Sequence, residues 1–209
     1  MKPFVSFFYL FTLLLLSISQ YSKEVSLFDG LTFNGWDGDT LNTWRIEDNM
    51  IIGGSLIKNV PENNFLCTRR SYRNFILKFK IKLVGHEGFI NAGLQFRSVR
   101  AINPSNEMIG YQADWGKDYW ASLYDESRRN KTLASPDAAK VLTLIKQNDW
   151  NDYVILANNN RIRLFINGHK SVDYLESDTS IPLSGLIGLQ IHGGGKAEVY
   201  FKELYIKEL

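Results

Sequence analysis

The sequence predicts an all-β fold, a sandwich or jelly roll of antiparallel sheets, on three observations. Apolar and polar residues alternate with a period of two in one segment after another, which sends successive side chains to opposite faces of a strand. Turn-forming residues separate these segments at short intervals. Helical periodicity is scarce, and its one candidate, residues 136–146, is short. Many short strands joined by turns suit two packed sheets.

Along the chain, Trp44-Arg45-Ile46-Glu47 and Met50-Ile51-Ile52 flank Asp48-Asn49, a hairpin turn. In 75–83, Phe75, Leu77, Phe79, Ile81 and Leu83 face one way, and Ile76, Lys78, Lys80 and Lys82 the other. This is a half-buried antiparallel strand with a cationic outer face. In 91–97, Ala92, Leu94 and Phe96 oppose Asn91, Gly93, Gln95 and Arg97. In 110–115, Tyr111, Ala113 and Trp115 oppose Gly110, Gln112 and Asp114. In 120–125, Ala121 and Leu123 oppose Trp120, Ser122 and Tyr124. Ile162, Leu164 and Ile166 alternate with Arg161, Arg163 and Phe165 ahead of Asn167-Gly168, a two-residue hairpin signal. In 186–192, Gly188, Gln190 and His192 share a face. A last strand, 198–207, follows Gly193-Gly194-Gly195.

The chain has 209 residues, 44% hydrophobic and 22% charged, which is an ordinary globular composition and excludes disordered and collagen-like classes. A formal net charge of +2 leaves no basic surplus to neutralise a phosphate backbone, so nucleic acid is not an expected partner. The single cysteine, Cys67, makes neither an intramolecular disulfide nor a cysteine-based zinc site. Lys2 precedes the apolar run at 4–16, and Ser17-Ile18-Ser19 follows it. That order reads as a secretory signal peptide over residues 1–19, too short for a membrane span of roughly 20 apolar residues. Residues 20–209 then form one exported domain, periplasmic or extracellular, without a membrane partner.

The functional signal lies on one face of the middle strands. Solvated strand faces usually carry Lys, Glu and Thr. Here Asn91, Gln95, Arg97, Gln112, Asp114, Gln190 and His192, with Trp120 and Tyr124, are spaced by glycines. Amides supply fixed donors and acceptors, Arg a planar fork of donors, and glycine leaves room for an approaching group. Amides, carboxylates and aromatic faces together hold a sugar ring, so a saccharide ligand is expected. The alternative is a polar outer face whose groups bond only to one another.

An ordered series of motifs resembles the bacterial 3-keto-disaccharide hydrolase domain family, long called DUF1080. It runs from Leu27-Phe28-Asp29-Gly30 and Gly35-Trp36 through Trp44-Arg45-Ile46-Glu47-Asp48, Asn91-Ala92-Gly93-Leu94-Gln95-Phe96-Arg97 and Gly110-Tyr111-Gln112-Ala113-Asp114. It continues through residues 119–130, Trp150-Asn151-Asp152-Tyr153, Asn167-Gly168 and Gly188-Leu189-Gln190-Ile191-His192-Gly193-Gly194. The resemblance implies a concanavalin-like jelly roll with its site on the concave face, and chemistry on glycosides already oxidised to a ketone at C3. Many members carry Ser where this chain has Ala92, and Glu where it has Gln112; a glutamine cannot exchange a proton, so acid–base work at 112 is unavailable here.

A C3 ketone acidifies the hydrogen on C2. A base removes it, the enediolate is stabilised at the ketone oxygen, and the C1 substituent leaves; adding water makes the result a net hydrolysis. His192 is the first expected proton-transfer group, since imidazole titrates near working pH. Asp114 is expected as base, as the group orienting His192, or as a metal ligand. Glu126 is a candidate acid for the leaving group, with a loop ion-pair network alongside Arg128 and Arg129 as the competing role. Asn91, Gln95 and Arg97 are expected on the C3 oxygen and nearby hydroxyls, Gln112 and Gln190 on the ring, Trp120 and Tyr124 stacked against it, and Arg128 nearby. No cofactor is required by the sequence. A divalent metal through His192, Asp114 or Glu126 stays open, though no local ligand spacing supports one. A non-catalytic carbohydrate-binding domain is the alternative function. A retaining glucanase is disfavoured, because the stretch 112–116 lacks the paired carboxylates that chemistry needs.

Overall fold

The alternating segments fold as strands. The computed structural model describes residues 22–209, so the expected leader at 1–19 lies outside the described residues. In chain order come β1 (Val25–Ser26), β2 (Trp36–Asp37), β3 (Trp44–Glu47), β4 (Met50–Ser55), β5 (Asn64–Thr68), β6 (Phe75–Gly88), β7 (Asn91–Arg100), β8 (Met108–Gly116), β9 (Leu123–Glu126) and β10 (Lys131–Ala134). The short helix α1 (Ala138–Leu144) follows, then β11 (Asn151–Asn158), β12 (Arg161–Ile166), β13 (His169–Leu175), β14 (Leu186–Ile191) and β15 (Gly195–Glu208). Asp137 caps α1, its side chain accepting from the Lys140 N–H at 2.8 Å. Among the described residues no helix is long and apolar enough to cross a membrane.

The strands form two antiparallel sheets. One runs β13-β12-β11-β6-β15-β4-β3 with β1 added on β15; the other runs β10-β9-β8-β7-β14-β5-β2. This is the jelly-roll sandwich that the alternation predicts. The turns behave as their residues require: Asp48 and Asn49 both take positive φ, 48° and 59°, as do Asn167 and Gly168 at 47° and 81°, the left-handed pair that a tight hairpin demands.

Between the sheets lies the apolar core. Phe75, Leu77, Phe79, Ile81 and Leu83 of β6 meet Ala92, Leu94 and Phe96 of β7, and Tyr111, Ala113 and Trp115 of β8. Phe79 stacks on Tyr153 with ring centres 5.1 Å apart. Trp36 and Trp44 are buried, and the Trp44 indole N–H donates to Asn64 Oδ1 at 2.7 Å. His86 in β6 and His169 in β13 are exposed.

Arg97 departs from the alternation. The β7–β8 register shifts between Phe96 and Val99, and Arg97 takes a φ of 48°. Its side chain leaves the polar face and is 2% exposed. There it donates to Arg73 O at 2.7 Å, Asn159 O at 2.6 Å and Asn74 Oδ1 at 3.1 Å. A residue expected on a ligand is instead a clasp from β7 to the β11–β12 turn of the opposite sheet. Burial lowers its guanidinium pKa to about 10. Arg97→Ala removes three hydrogen bonds of a buried guanidinium and is expected to cost about 2–4 kcal/mol in urea unfolding. Lys80→Ala, which breaks an exposed pair with Asp152, is expected to cost less than about 1 kcal/mol.

Candidate functional site

Five central strands of the second sheet turn their other face away from the core. Register sets its rows. Gly93 pairs with Asp114 on one side and Gln190 on the other; Gln95 pairs with Gln112 and Gly188; Gln112 pairs with Tyr124, and Gly110 with Glu126. Gly93 is the one position in its row without a side chain. A Cβ there would stand 2.9 Å from Ala113 O and 3.0 Å from the Gln112 side chain, so glycine lets Gln112 lie across the strand.

Above these rows is a cleft of about 130 Å³ lined by Phe89, Asn91, Gln112, Asp114, Tyr119, Tyr124, Glu126 and His192. Asn91, Gln112, Asp114, Tyr124, Glu126 and His192, expected at the site from the sequence, thus meet in one place.

Asp114 forms part of the cleft wall and is 4% exposed. Its Oδ1 accepts from Asn91 Nδ2 at 3.0 Å and from the Trp115 N–H at 2.9 Å. Neither partner carries charge, so burial dominates and raises the carboxyl pKa from 3.8 to about 7, with Glu126 adding repulsion. Among the described residues Glu126 has no ion-pair partner, unlike its neighbour Asp125. The adjacent Asp125 takes both arginines, Arg128 at 2.7 Å and Arg129 in a shorter contact. Burial, and then the charge of Glu107, push Glu126 up to about 7.

His192 follows β14, and its backbone N–H donates to Asn91 O at 3.1 Å. Nδ1 lies 2.7 Å from Gly193 O. A carbonyl only accepts, so Nδ1 carries a proton, and in the neutral ring Nε2 is the nitrogen with the lone pair. The Phe89 ring meets the imidazole edge-on at 4.6 Å.

Phe89, Tyr119 and Glu107 are site groups that the alternation does not reveal, because all three lie outside the strands or at their ends. Glu107, in the β7–β8 loop, accepts from Asn63 Nδ2 at 2.8 Å through Oε1, while Asn63 Oδ1 accepts from the Gly193 N–H at 3.0 Å. The loop is thereby tied to the turn that carries His192. Burial raises the Glu107 carboxyl pKa, and its Oε2 is buried without a hydrogen-bond partner.

Other expected contacts lie elsewhere. Gln95 is fully buried under the cleft, donating to Gln112 Oε1 at 3.0 Å and accepting from Ser98 Oγ at 2.7 Å; it supports Gln112. Gln190 is also fully buried, with both amide atoms unpartnered, on the same face but outside the cleft lining. Trp120 belongs to a turn, not a strand, and packs edge-on against the core residue Trp115 at 4.8 Å. Arg128 lies over the Tyr111 ring at 4.6 Å while it holds Asp125. The rest of the polar face is capped by an apolar cluster of Phe65, Cys67 and Met108, where burial pushes the Cys67 thiol up to about 12.

Among the described residues no group of three or more His, Cys, Asp or Glu is arranged to hold a metal ion. The arrangement instead suits proton transfer beside a small polar ligand.

The sequence profile of the family described as the 3-keto-alpha-glucoside-1,2-lyase-like domain matches residues 23–207. No functionally curated protein matches the chain. Among solved structures, the chain resembles a candidate glycosyl hydrolase from Parabacteroides distasonis at 19% identity and a TM-score of 0.65, covering 89% of this chain and 94% of that one. It resembles the carbohydrate-binding module CBM66 from Bacillus subtilis at 18% identity and a TM-score of 0.63, covering 83% and 96%. A Bacillus licheniformis β-glucanase follows at 10% identity and a TM-score of 0.58, covering 91% and 99%. These likenesses are of fold.

The raised carboxyl gives a stability test. Asp114 holds its proton to about pH 7 in the folded state, whereas an unfolded aspartate releases it near 3.8. The folded state is therefore favoured fully below about pH 4 and loses that advantage as pH rises to about 7. Asp114→Asn abolishes the loss. Relative to the wild type, the variant is expected to gain about 2–4 kcal/mol between pH 4 and pH 8 in denaturant titrations; a pH-independent difference counts against a desolvated Asp114.

Proposed function

The chain belongs to the 3-keto-alpha-glucoside-1,2-lyase-like family, and from that premise we propose that it cleaves glycosides carrying a ketone at C3. One observation carries the reading: the His192 imidazole and the carboxyls of Asp114 and Glu126, both pushed up to about 7 by burial, line a single small polar cleft. Elimination needs a base at C2, a donor at the C3 oxygen and an acid at the glycosidic oxygen. His192 takes the C2 proton through Nε2. Asp114, pushed up to about 7 by burial and held by Asn91, donates in its protonated form to the C3 oxygen where enediolate charge develops, a task suited to a buried protonated carboxyl. Glu126 gives its proton to the departing oxygen. The C1–O bond breaks as the C2–H electrons form the new double bond, and the products are the free alcohol and an unsaturated keto-sugar, to which water adds for net hydrolysis. Tyr124 and Tyr119 flank the ring. The expected leader at 1–19 would deliver this activity to an exported protein.

The likeness to a carbohydrate-binding module favours a second reading, in which the cleft binds a saccharide without turnover. Incubating the protein with methyl glucoside and its 3-keto derivative, followed by NMR, separates the two. Methanol release from the keto form alone is expected. Saccharide binding without release favours the binding module, and equal cleavage of the unoxidised glycoside contradicts the proposal. His192→Ala and Glu126→Gln are each expected to lower kcat about 10²–10⁴-fold. Because Glu126 and Asp114 both act in protonated form with pKa values of about 7, wild-type kcat is expected to fall as pH rises above 7, and the double variant Glu126→Gln with Asp114→Asn to lose that dependence.

A further inference from the structure

The cleft is too small for a whole glycoside. Its volume of about 130 Å³ lies below the roughly 300–1,000 Å³ of sites that enclose a complete small molecule, so the group attached at C1 must lie outside it. A groove of about 700 Å³ adjoins the cleft and shares Tyr119 with it. Two other sizeable depressions, of about 470 and 620 Å³, share no residue with the cleft. The groove runs between the turn after β8 and helix α1. Besides Tyr119, its walls include Trp120, Pro136, Ala138, Val141 and Leu142. Leu142 is 53% exposed there although it is a large apolar side chain, and Trp120 is only partly buried. The charged lining groups Lys117 and Asp118 are exposed to solvent. Ser122, Ser135 and Gln147 are its other polar lining groups, and none of the cleft's Asn91, Gln112, Asp114 or Glu126 side chains lines it.

The geometry points to this groove as the subsite for the leaving group, and to a flat apolar alcohol or phenol, rather than a second sugar, as the group it takes. The inference rests on the reading of the cleft as the keto-sugar site. It makes the substrates 3-keto glycosides of aryl or similarly apolar alcohols. In the elimination such a group departs with the C1–O electron pair and takes up one proton, leaving as the free phenol. Trp120 and Leu142 are then specificity-determining residues that do not touch the reacting atoms.

The test compares kcat/KM for 4-nitrophenyl and methyl 3-keto-glucosides in the wild type, Leu142→Asp and Ala138→Asp. Both substituted residues are exposed on α1, so the variants are expected to fold. Each aspartate is expected to lower the aryl-to-methyl ratio about tenfold. Free 4-nitrophenol is expected to inhibit wild-type turnover of the methyl substrate more strongly than glucose does, and to inhibit the variants less. An unchanged ratio in both variants, with no difference between 4-nitrophenol and glucose, overturns the groove assignment while methyl turnover leaves the cleft reading standing. If the wild type turns over neither keto-glycoside, the cleft reading fails and the groove assignment with it.

Discussion

A sheet buried on both faces cannot treat the two alike. In the second sheet one face closes on hydrocarbon, and the other holds Asn91, Gln95, Gln112, Asp114 and Gln190, each at most 4% exposed. Polar groups taken from water must find partners or pay a desolvation cost. Most here are partnered by neutral groups: Gln95 with Gln112 and Ser98, Asp114 with Asn91. Neutral partners satisfy hydrogen bonds without supplying counter-charge, and this is why the carboxyls in the cleft hold protons far above their usual range. The nearby arginines are engaged elsewhere, Arg97 on carbonyls and an amide, and Arg128 and Arg129 on Asp125.

That distribution of charge links fold to chemistry. Asp125 and Glu126 are neighbours in β9, and strand alternation sends them to opposite faces. Asp125 meets two guanidinium groups; Glu126 faces the cleft, where no cation neutralises it. One residue step thus separates a structural ion cluster from an acid suited to proton transfer near neutral pH. The Oε2 of Glu107 and both amide atoms of Gln190 are buried without hydrogen-bond partners around the same face.

Period-two alternation exposed the polar face and most of its members because β7 and β8 are regular where Asn91, Gln112 and Asp114 stand, and His192 follows directly on β14. It failed where the backbone leaves that period. A bulge after Phe96 turns Arg97 toward the other sheet. Trp120 lies in a turn, so strand parity says nothing about its direction, and Arg128 is drawn by Asp125 and the Tyr111 ring. Glu107, Tyr119 and Phe89 arrive from loops and strand ends, where contacts depend on tertiary packing and no periodic signal exists. Even a correct face does not ensure access: Gln95 and Gln190 lie on the polar face yet are sealed beneath it.

The account stands on carboxyls kept neutral by a buried, cation-free setting. Carbon-detected NMR titration of the side-chain carboxyl resonances of Asp114 and Glu126, assigned with Asp114→Asn and Glu126→Gln, measures this directly. Midpoints near 7 for both groups are predicted. Midpoints near 4 for both would contradict it, since the cleft would then present two ordinary carboxylates and no acid at neutral pH.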